Sequence, residues 1–447
     1  MDTTVVESEF WDIFKTPAVD NSTEQDEYIE YKETNVNVTD LSKYEFFSKD
    51  MDAFLCPSKS FIEVKGKIVK DDNTAFAAGA NIALVNNGFS IFKHADYLVN
   101  DQMCDSVDFP HQATTILNLI HWSDDYTRSA ATASLWYKDT GNGGTERSRY
   151  VINKTGDDIT SITDNGNFNI GFTLRADICK EGSLVTIKLP LSHIFGFFKD
   201  IQRNFRGVKH TIRLVRNSDK NIIHCGAGVT GDPKFQISHM SWWIPIRKPN
   251  LVVLARIESQ LLNTSVKMSW ESINMFRSET KREISPTWRV STSTLKPSHI
   301  YVVFQYANKD ATYTANSAVF DHLDLQRIHA RISSKQFPLE EHMCDFTDKV
   351  NDYQRLYHAF LEAGYKGFDF DTGSQVSYSE FKTLYPIYCI DVSKREESIF
   401  ETTGICDIEL RINLKTQPTA DYHIYCLIVS ERYATLQGIS GRMNIIL

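Results

Sequence analysis

The sequence predicts an all-β protein made of two similar strand-rich domains. Two observations carry that expectation: one plan of segments occurs twice, and apolar residues alternate with period two wherever a strand signal is clear. In the first half FSIFKHADYLVND (89–101) leads through Pro110 into the helical stretch TTILNLIHW, and an apolar strand with Leu189-Pro190, HTIRLVRN (210–217) and FQISHMSWWIPIR (235–247) follow. In the second half VFDHLDLQRIHARIS (319–333) leads through Pro338 into VNDYQRLYHAFLEAG, and YPIYCIDVS, CDIELRINLKT (406–416) and YHIYCLIVSERY (422–433) follow. Two copies of one plan suit a building block better than an enzyme.

Each element has a local reason. FIEVKGKIV puts Ile62, Val64 and Ile68 on one face and Glu63, Lys65 and Lys67 on the other, the pattern of a half-buried strand. The alternation is cleanest at Ile408, Leu410, Ile412 and Leu414. In HLDLQRIHARIS the apolar phase slips between Leu325 and Ile328, as a bulge requires. Helices are few: Val350, Tyr353, Tyr357, Phe360 and Leu361 share a face, with Asp348 as N-cap and Gly364 past the end. SHIFGFFKDIQRNFRG reads as a second helix, with Ile194, Phe195, Phe198, Ile201 and Phe205 inward and Gly207 as its stop. Many strands with isolated helices in the connections describe sandwiches or jelly rolls.

The length of 447 residues calls for two domains of about 200 residues each. The expected boundaries are an acidic N-terminal arm over 1–52, a first sandwich over 53–247, a second over 248–436 and a tail over 437–447. The arm carries Glu24, Asp26, Glu27, Glu30 and Glu33 in one run; an extended arm lying on the domain or on a neighbour and an unstructured acidic leader both fit. Its aromatic pairs Phe10-Trp11 and Phe46-Phe47 favour docking. Pro245 and Pro249 interrupt pairing at the pivot between halves, with Trp242 and Trp243 ending the strand before it. Residues 139–167, 307–317 and 365–377 read as long surface loops.

A net charge of −9 argues against gripping a phosphate backbone, so no sequence-specific nucleic-acid partner is expected. The N-terminus shows no secretory signal, and no apolar run is long enough to cross a bilayer. Eight scattered cysteines lack metal-ligand spacing and read as free buried thiols. The N-x-S/T matches at Asn21, Asn37, Asn153 and Asn263 then carry no glycan.

No motif assigns a catalytic residue, cofactor or metal. Asp-Thr-Gly occurs at Asp139 and Asp371, which raises a bilobal aspartic protease, one carboxylate from each half. The flanks of both copies are polar and Gly-rich, so both read as solvated turns. His94 with Asp96, and His121 near Asp124 and Asp125, lack a third partner and read as surface histidines. A sugar-binding module is the other rival, since Trp242 or Trp243 could stack on a sugar.

LPLSHIFGFF, KHTIRLVRNSD, SWWIPI, WRVSTSTLKP, AVFDHLDLQRIHARISSKQFP, YPIYCIDVSK and YHIYCLIVSERYATLQ, in that order, resemble the major capsid protein of Polinton/Maverick elements and adintoviruses. That family is related to virophage and other double jelly-roll capsid proteins. The likeness runs from about Phe61 to the C-terminus and leaves the acidic arm without a counterpart. It implies a double jelly roll, two eight-stranded antiparallel β-sandwiches in one chain, acting as a non-enzymatic major capsid protein. It further implies homotrimers forming pseudo-hexagonal capsomers of an icosahedral shell around double-stranded DNA, with neighbouring capsomers, a single jelly-roll penton and minor capsid proteins as partners. An internal membrane is left open, as is a domesticated element protein that no longer makes virions. The expected location is the virion, assembled in the cytoplasm or nucleus of a eukaryotic host cell. Candidate interface residues are Phe10, Trp11 and Phe14 in the arm and Ile445, Ile446 and Leu447 in the tail, with the three long loops as outward turrets.

Overall fold

The computed structural model describes residues 21–33, 42–50, 52–295, 297–332, 335–364, 373–393, 405–439 and 442–446. The first unit contains β1 (Thr23–Lys32), β2 (Lys43–Phe47), β3 (Phe61–Lys70), β4 (Phe92–Val99), β5 (Gln102–Asp108), β6 (Val185–Pro190), β7 (His210–Arg216) and β8 (Pro233–Pro249). The second contains β9 (Val266–Thr280), β10 (Thr287–Leu295), β11 (Pro297–Tyr306), β12 (Leu325–Ile332), β13 (Lys335–Met343), β14 (Tyr388–Asp391), β15 (Ile405–Leu414) and β16 (Tyr422–Ile439). The sheets of the first unit run β1–β8–β3–β6 and β2–β7–β4–β5; those of the second run β9–β16–β11–β14 and β10–β15–β12–β13. Counted along each unit, the order is the same in both: first, eighth, third, sixth, and second, seventh, fourth, fifth. Every pairing is antiparallel. This is the jelly-roll permutation made twice.

The alternation read from the sequence is what fills the sandwiches. Ile62, Val64 and Ile68 are buried on β3, and Ile408, Leu410, Ile412 and Leu414 on β15. The phase slip on β12 is a register shift against β15 between Leu325 and Arg327. All eight cysteines are buried and none is in a disulfide.

Several boundaries differ from expectation. The acidic segment supplies two of the eight strands of the first unit, so the sandwich begins at Thr23 and not at residue 53. Its carboxylates are tolerated because β1 lies at a sheet edge and they reach cations on β8: Asp26 to Arg247 at 3.0 Å, Glu24 to Lys248 at 3.5 Å. Tyr31, Tyr44 and Phe46 turn into the core. Strand β8 continues through the two prolines to Pro249, so Trp242 and Trp243 lie within it. Pro245 falls after β8 leaves β3 at Trp243 and before it meets Leu55 at Ile246, where no ladder on that side needs an N–H. A helix, Leu251–Asn263, joins the units. Strand β16 runs to Ile439, and Arg442–Ile446 folds back on it, Ile446 opposite Thr435.

The two expected helices are shorter than the sequence suggests. The first is Gln354–Ala363, capped at Tyr353; Asp348 lies ahead of it and holds Lys382 at 2.7 Å. The second shrinks to Gly196–Asp200, although its five apolar residues are all buried. A Cβ on Gly364 would stand 2.3 Å from the Ile120 carbonyl oxygen, and one on Gly196 would stand 1.6 Å from that of Glu271. Both glycines therefore mark places where one unit's backbone touches the other's. We expect Gly196→Ala to force β9 away from the first unit and to cost about 1–3 kcal/mol, read as a lower thermal midpoint.

Candidate functional site: the seam between the two sandwiches

The buried polar chemistry of this protein joins its halves. Asp105 on β5 is fully buried and accepts hydrogen bonds from the Phe197 amide (3.0 Å), the Trp270 indole (3.2 Å) and the Ser272 hydroxyl (2.8 Å). The last two belong to β9 of the second unit. Burial pushes the Asp105 carboxyl above the usual range, and the three donors and nearby Arg432 oppose that shift. Arg432 itself donates to the Cys104 carbonyl at 2.6 Å. Phe197 lies 5.2 Å from Trp270 in an edge-on pair, so an apolar wedge accompanies the polar bond.

A second cluster lies where the connecting segments of both units meet. Asp139 and Arg175 are both fully buried and form an ion pair at 2.7 Å. Arg175 also donates to the carbonyls of Leu84 (2.8 Å) and Tyr137, and Asn169 donates to Asp139 at 2.8 Å. From the second unit, Tyr385 donates its hydroxyl to the Asp139 carbonyl at 3.1 Å, and Asn316 donates to that of Gly143 at 2.8 Å. Lys138 binds Glu380 at 2.9 Å, and Gln375 donates to the Asn118 carbonyl at 2.7 Å.

These contacts correct two readings. Asp139 is not in a solvated turn; its neighbours Asn142, Gly143 and Gly144 made the segment look polar, but Arg175, distant in sequence, encloses it. Its charge is already matched by a guanidinium, which is not how a carboxylate comes to share a proton. Asp371 lies outside the described residues. The three long loops are also unequal. In 139–167 the hairpin Tyr150–Thr155 with Asp158–Asp164 is exposed throughout. In 307–317, by contrast, Lys309 is buried against Asp321 at 2.8 Å, and Asn316 and Ser317 are buried too. In 365–377 the described end buries Gln375 and Val376.

The remaining candidates are structural in character. His94 bridges Asp108 (2.7 Å) and Asp96 (2.8 Å), more than the lone surface histidine expected; the hydrogen bonds to Asp108 and Asp96 raise its pKa to about 10. A folded value above the unfolded one, near 6.5, gives stability that is fully present below about pH 6.5 and is lost as pH rises through 10. We expect His94→Gln to flatten the decline of the melting midpoint between pH 7 and 10.5, by less than about 1 kcal/mol because water screens a pair this exposed. Burial lowers His111, His193 and His224 to about 4 and His210 to about 3, so these imidazoles are neutral packing groups. Burial lifts the thiols of Cys179 to about 11 and Cys225 to about 12, which removes them as nucleophiles. Among the described residues no group of three or more His, Cys, Asp or Glu could hold a metal ion, and no helix is long and apolar enough to cross a membrane.

Trp242 is buried, which removes it as a sugar platform. Trp243 stacks 6.4 Å from Phe61, whose ring is also covered by the Lys188 ammonium at 4.4 Å. Of the proposed interface residues, Phe10, Trp11, Phe14 and Leu447 lie outside the described residues. Ile445 and Ile446 pair through their backbones with Leu436 and Thr435.

Two eight-stranded jelly rolls in one chain, fastened along a buried polar seam, define a double jelly roll. The chain belongs to the double jelly roll-like domain family, whose model matches residues 140–434. Among solved structures it is similar to that of the Sputnik virophage, at 12% identity and a TM-score of 0.58, covering 100% of this chain and 93% of that one. It is similar to the Faustovirus major capsid protein at 9% and 0.56, covering 92% and 90%. It is similar to the mavirus major capsid protein at 11% and 0.54, covering 100% and 96%. At these identities the likeness is one of fold. No curated protein matches the sequence.

Proposed function

We propose that this chain is a major capsid protein whose homotrimers form pseudo-hexagonal capsomers. The observation that carries the reading is the repeated strand order, with both copies locked side by side by Asp105 and Gly196. Three chains with two similar sandwiches each present six in a near-hexagonal outline, which suits a lattice position with six neighbours. The names of the Faustovirus and mavirus structures support the same role. The buried seam supports a structural part rather than a catalytic one, since Asp139 and Arg175 are matched to each other and Asp105 is held by three donors.

The finer reading follows the resemblance to Polinton/Maverick and adintovirus capsid proteins. The chain then tiles an icosahedral shell around double-stranded DNA, next to other capsomers, a single jelly-roll penton and minor capsid proteins. It assembles in the cytoplasm or nucleus of a eukaryotic host and resides in the virion. The hairpin Tyr150–Asp164 is the part best placed as an outward projection. Native mass and negative-stain images test the proposal: three chains of 51.2 kDa give about 154 kDa and a six-sided particle. A stable monomer with a single lobe refutes it.

A further inference from the structure

A cavity of about 650 Å³ lies where the two units meet, a size within the range of small-molecule sites. Lys93 on β4, Arg216 on β7 and Lys234 on β8 line it from the first unit, and Arg277 on β9 lines it from the second. Two carboxylates share the lining, and both are engaged: Asp219 with Arg216 at 3.0 Å, and Asp310 with Arg277 at 2.8 Å. Lys93 and Lys234 have no ion-pair partner among the described residues. Four cations against two carboxylates leave an excess of two positive charges, in a chain whose net charge is −9. A cleft with such an excess concentrates anions.

A helix, Pro110–His121, begins at the same cavity, which Phe109 and Gln112 line. Phe109 is its N-cap and supplies no side-chain hydrogen bond, so the first-turn amides of His111 and Gln112 lack the acceptor that a cap would give. Independently of that helix end, the Gln112 side chain is only 6% exposed and forms no hydrogen bond among the described residues. A buried amide is rarely left without a partner, and its place in the wall aims this one at a ligand. The aromatic walls are already in use. The Arg277 guanidinium lies 4.8 Å over the Phe109 ring, Tyr425 meets that ring edge-on at 5.5 Å, and Phe235 is buried. A ligand is therefore selected by negative charge and not by stacking. We propose that the cavity binds the phosphate groups of a small polyphosphate, through Lys93, Lys234, the Gln112 amide and the open end of the helix. Phosphate suits this set because its several charged oxygens can accept from donors arriving in different directions. The site needs one chain only and does not depend on shell building.

The test is calorimetric titration of the full chain with inorganic pyrophosphate, and with adenosine triphosphate as a second arm. Pyrophosphate is expected to bind with a dissociation constant below about 1 mM and to raise the thermal midpoint. The double variant Lys93→Gln with Lys234→Gln is expected to weaken binding about tenfold or more. Its own midpoint without ligand should stay unchanged, because neither lysine is in an ion pair. Gln112→Met, which keeps much of the volume, is expected to weaken binding as well; should that buried change disturb folding, the lysine variant still decides. Adenosine triphosphate binding no tighter than pyrophosphate would assign the site to a bare polyphosphate, and tighter binding would assign it to a nucleotide. No binding of either ligand in that range overturns the proposal, as does binding that the lysine variant leaves unchanged.

Discussion

Arg175→Met is expected to destabilise the protein by about 3–5 kcal/mol, because it leaves Asp139 as an unmatched buried charge. Both side chains are completely shielded from water, so no solvent can enter to replace the guanidinium. Methionine fills much of the volume but donates nothing to Asp139 or to the carbonyls of Leu84 and Tyr137. The loss should reach across the seam, since Tyr385 of the second unit binds the Asp139 backbone. Urea denaturation followed by tryptophan fluorescence measures it. The double variant Arg175→Met with Asp139→Leu should recover part of the loss, as removal of both charges usually does. A double variant no better than the single one would show that shape, and not charge, governs the cluster.

The second large effect is expected at Asp105. Asp105→Ala strips the acceptor from three buried donors, the Phe197 amide, the Trp270 indole and the Ser272 hydroxyl, at roughly 1–3 kcal/mol each. Two of those donors sit on the second unit, so the units should loosen before either sandwich melts. The expected result is a calorimetric trace that splits into two transitions, the chain between the units becoming cleavable by protease at 251–263. A single, merely shifted transition would mean that the wedge of Phe197 and Trp270 holds the halves without the carboxylate.

The strands with clean alternation were legible because one face of each is buried and the other wet: Ile62/Val64/Ile68 and Ile408/Leu410/Ile412 declare their register unaided. Strand β1 was hidden by its charges. An edge strand can carry Glu24, Asp26 and Glu27 on exposed positions, and composition alone cannot tell that from a solvated leader. The helix over Gly196–Asp200 was overextended because buried apolar residues at helical spacing are satisfied equally by a turn and an irregular segment. The seam was invisible for a different reason. Asp105 and Arg175 find their partners 92 and 36 residues away, at Phe197 and Asp139, and no local pattern distinguishes a buried charge from a surface one. The repeated plan, by contrast, was readable as order alone, since a permutation of strands survives changes in every loop between them.

The hairpin Tyr150–Asp164 pairs only with itself and places no side chain in either core. Its residues are thus released from the packing that fixes the sandwiches, so its sequence can change while the scaffold beneath stays the same. Foreign peptides inserted at its Gly156 turn should be displayed without penalty to folding, which makes this short ribbon the natural port for engineering.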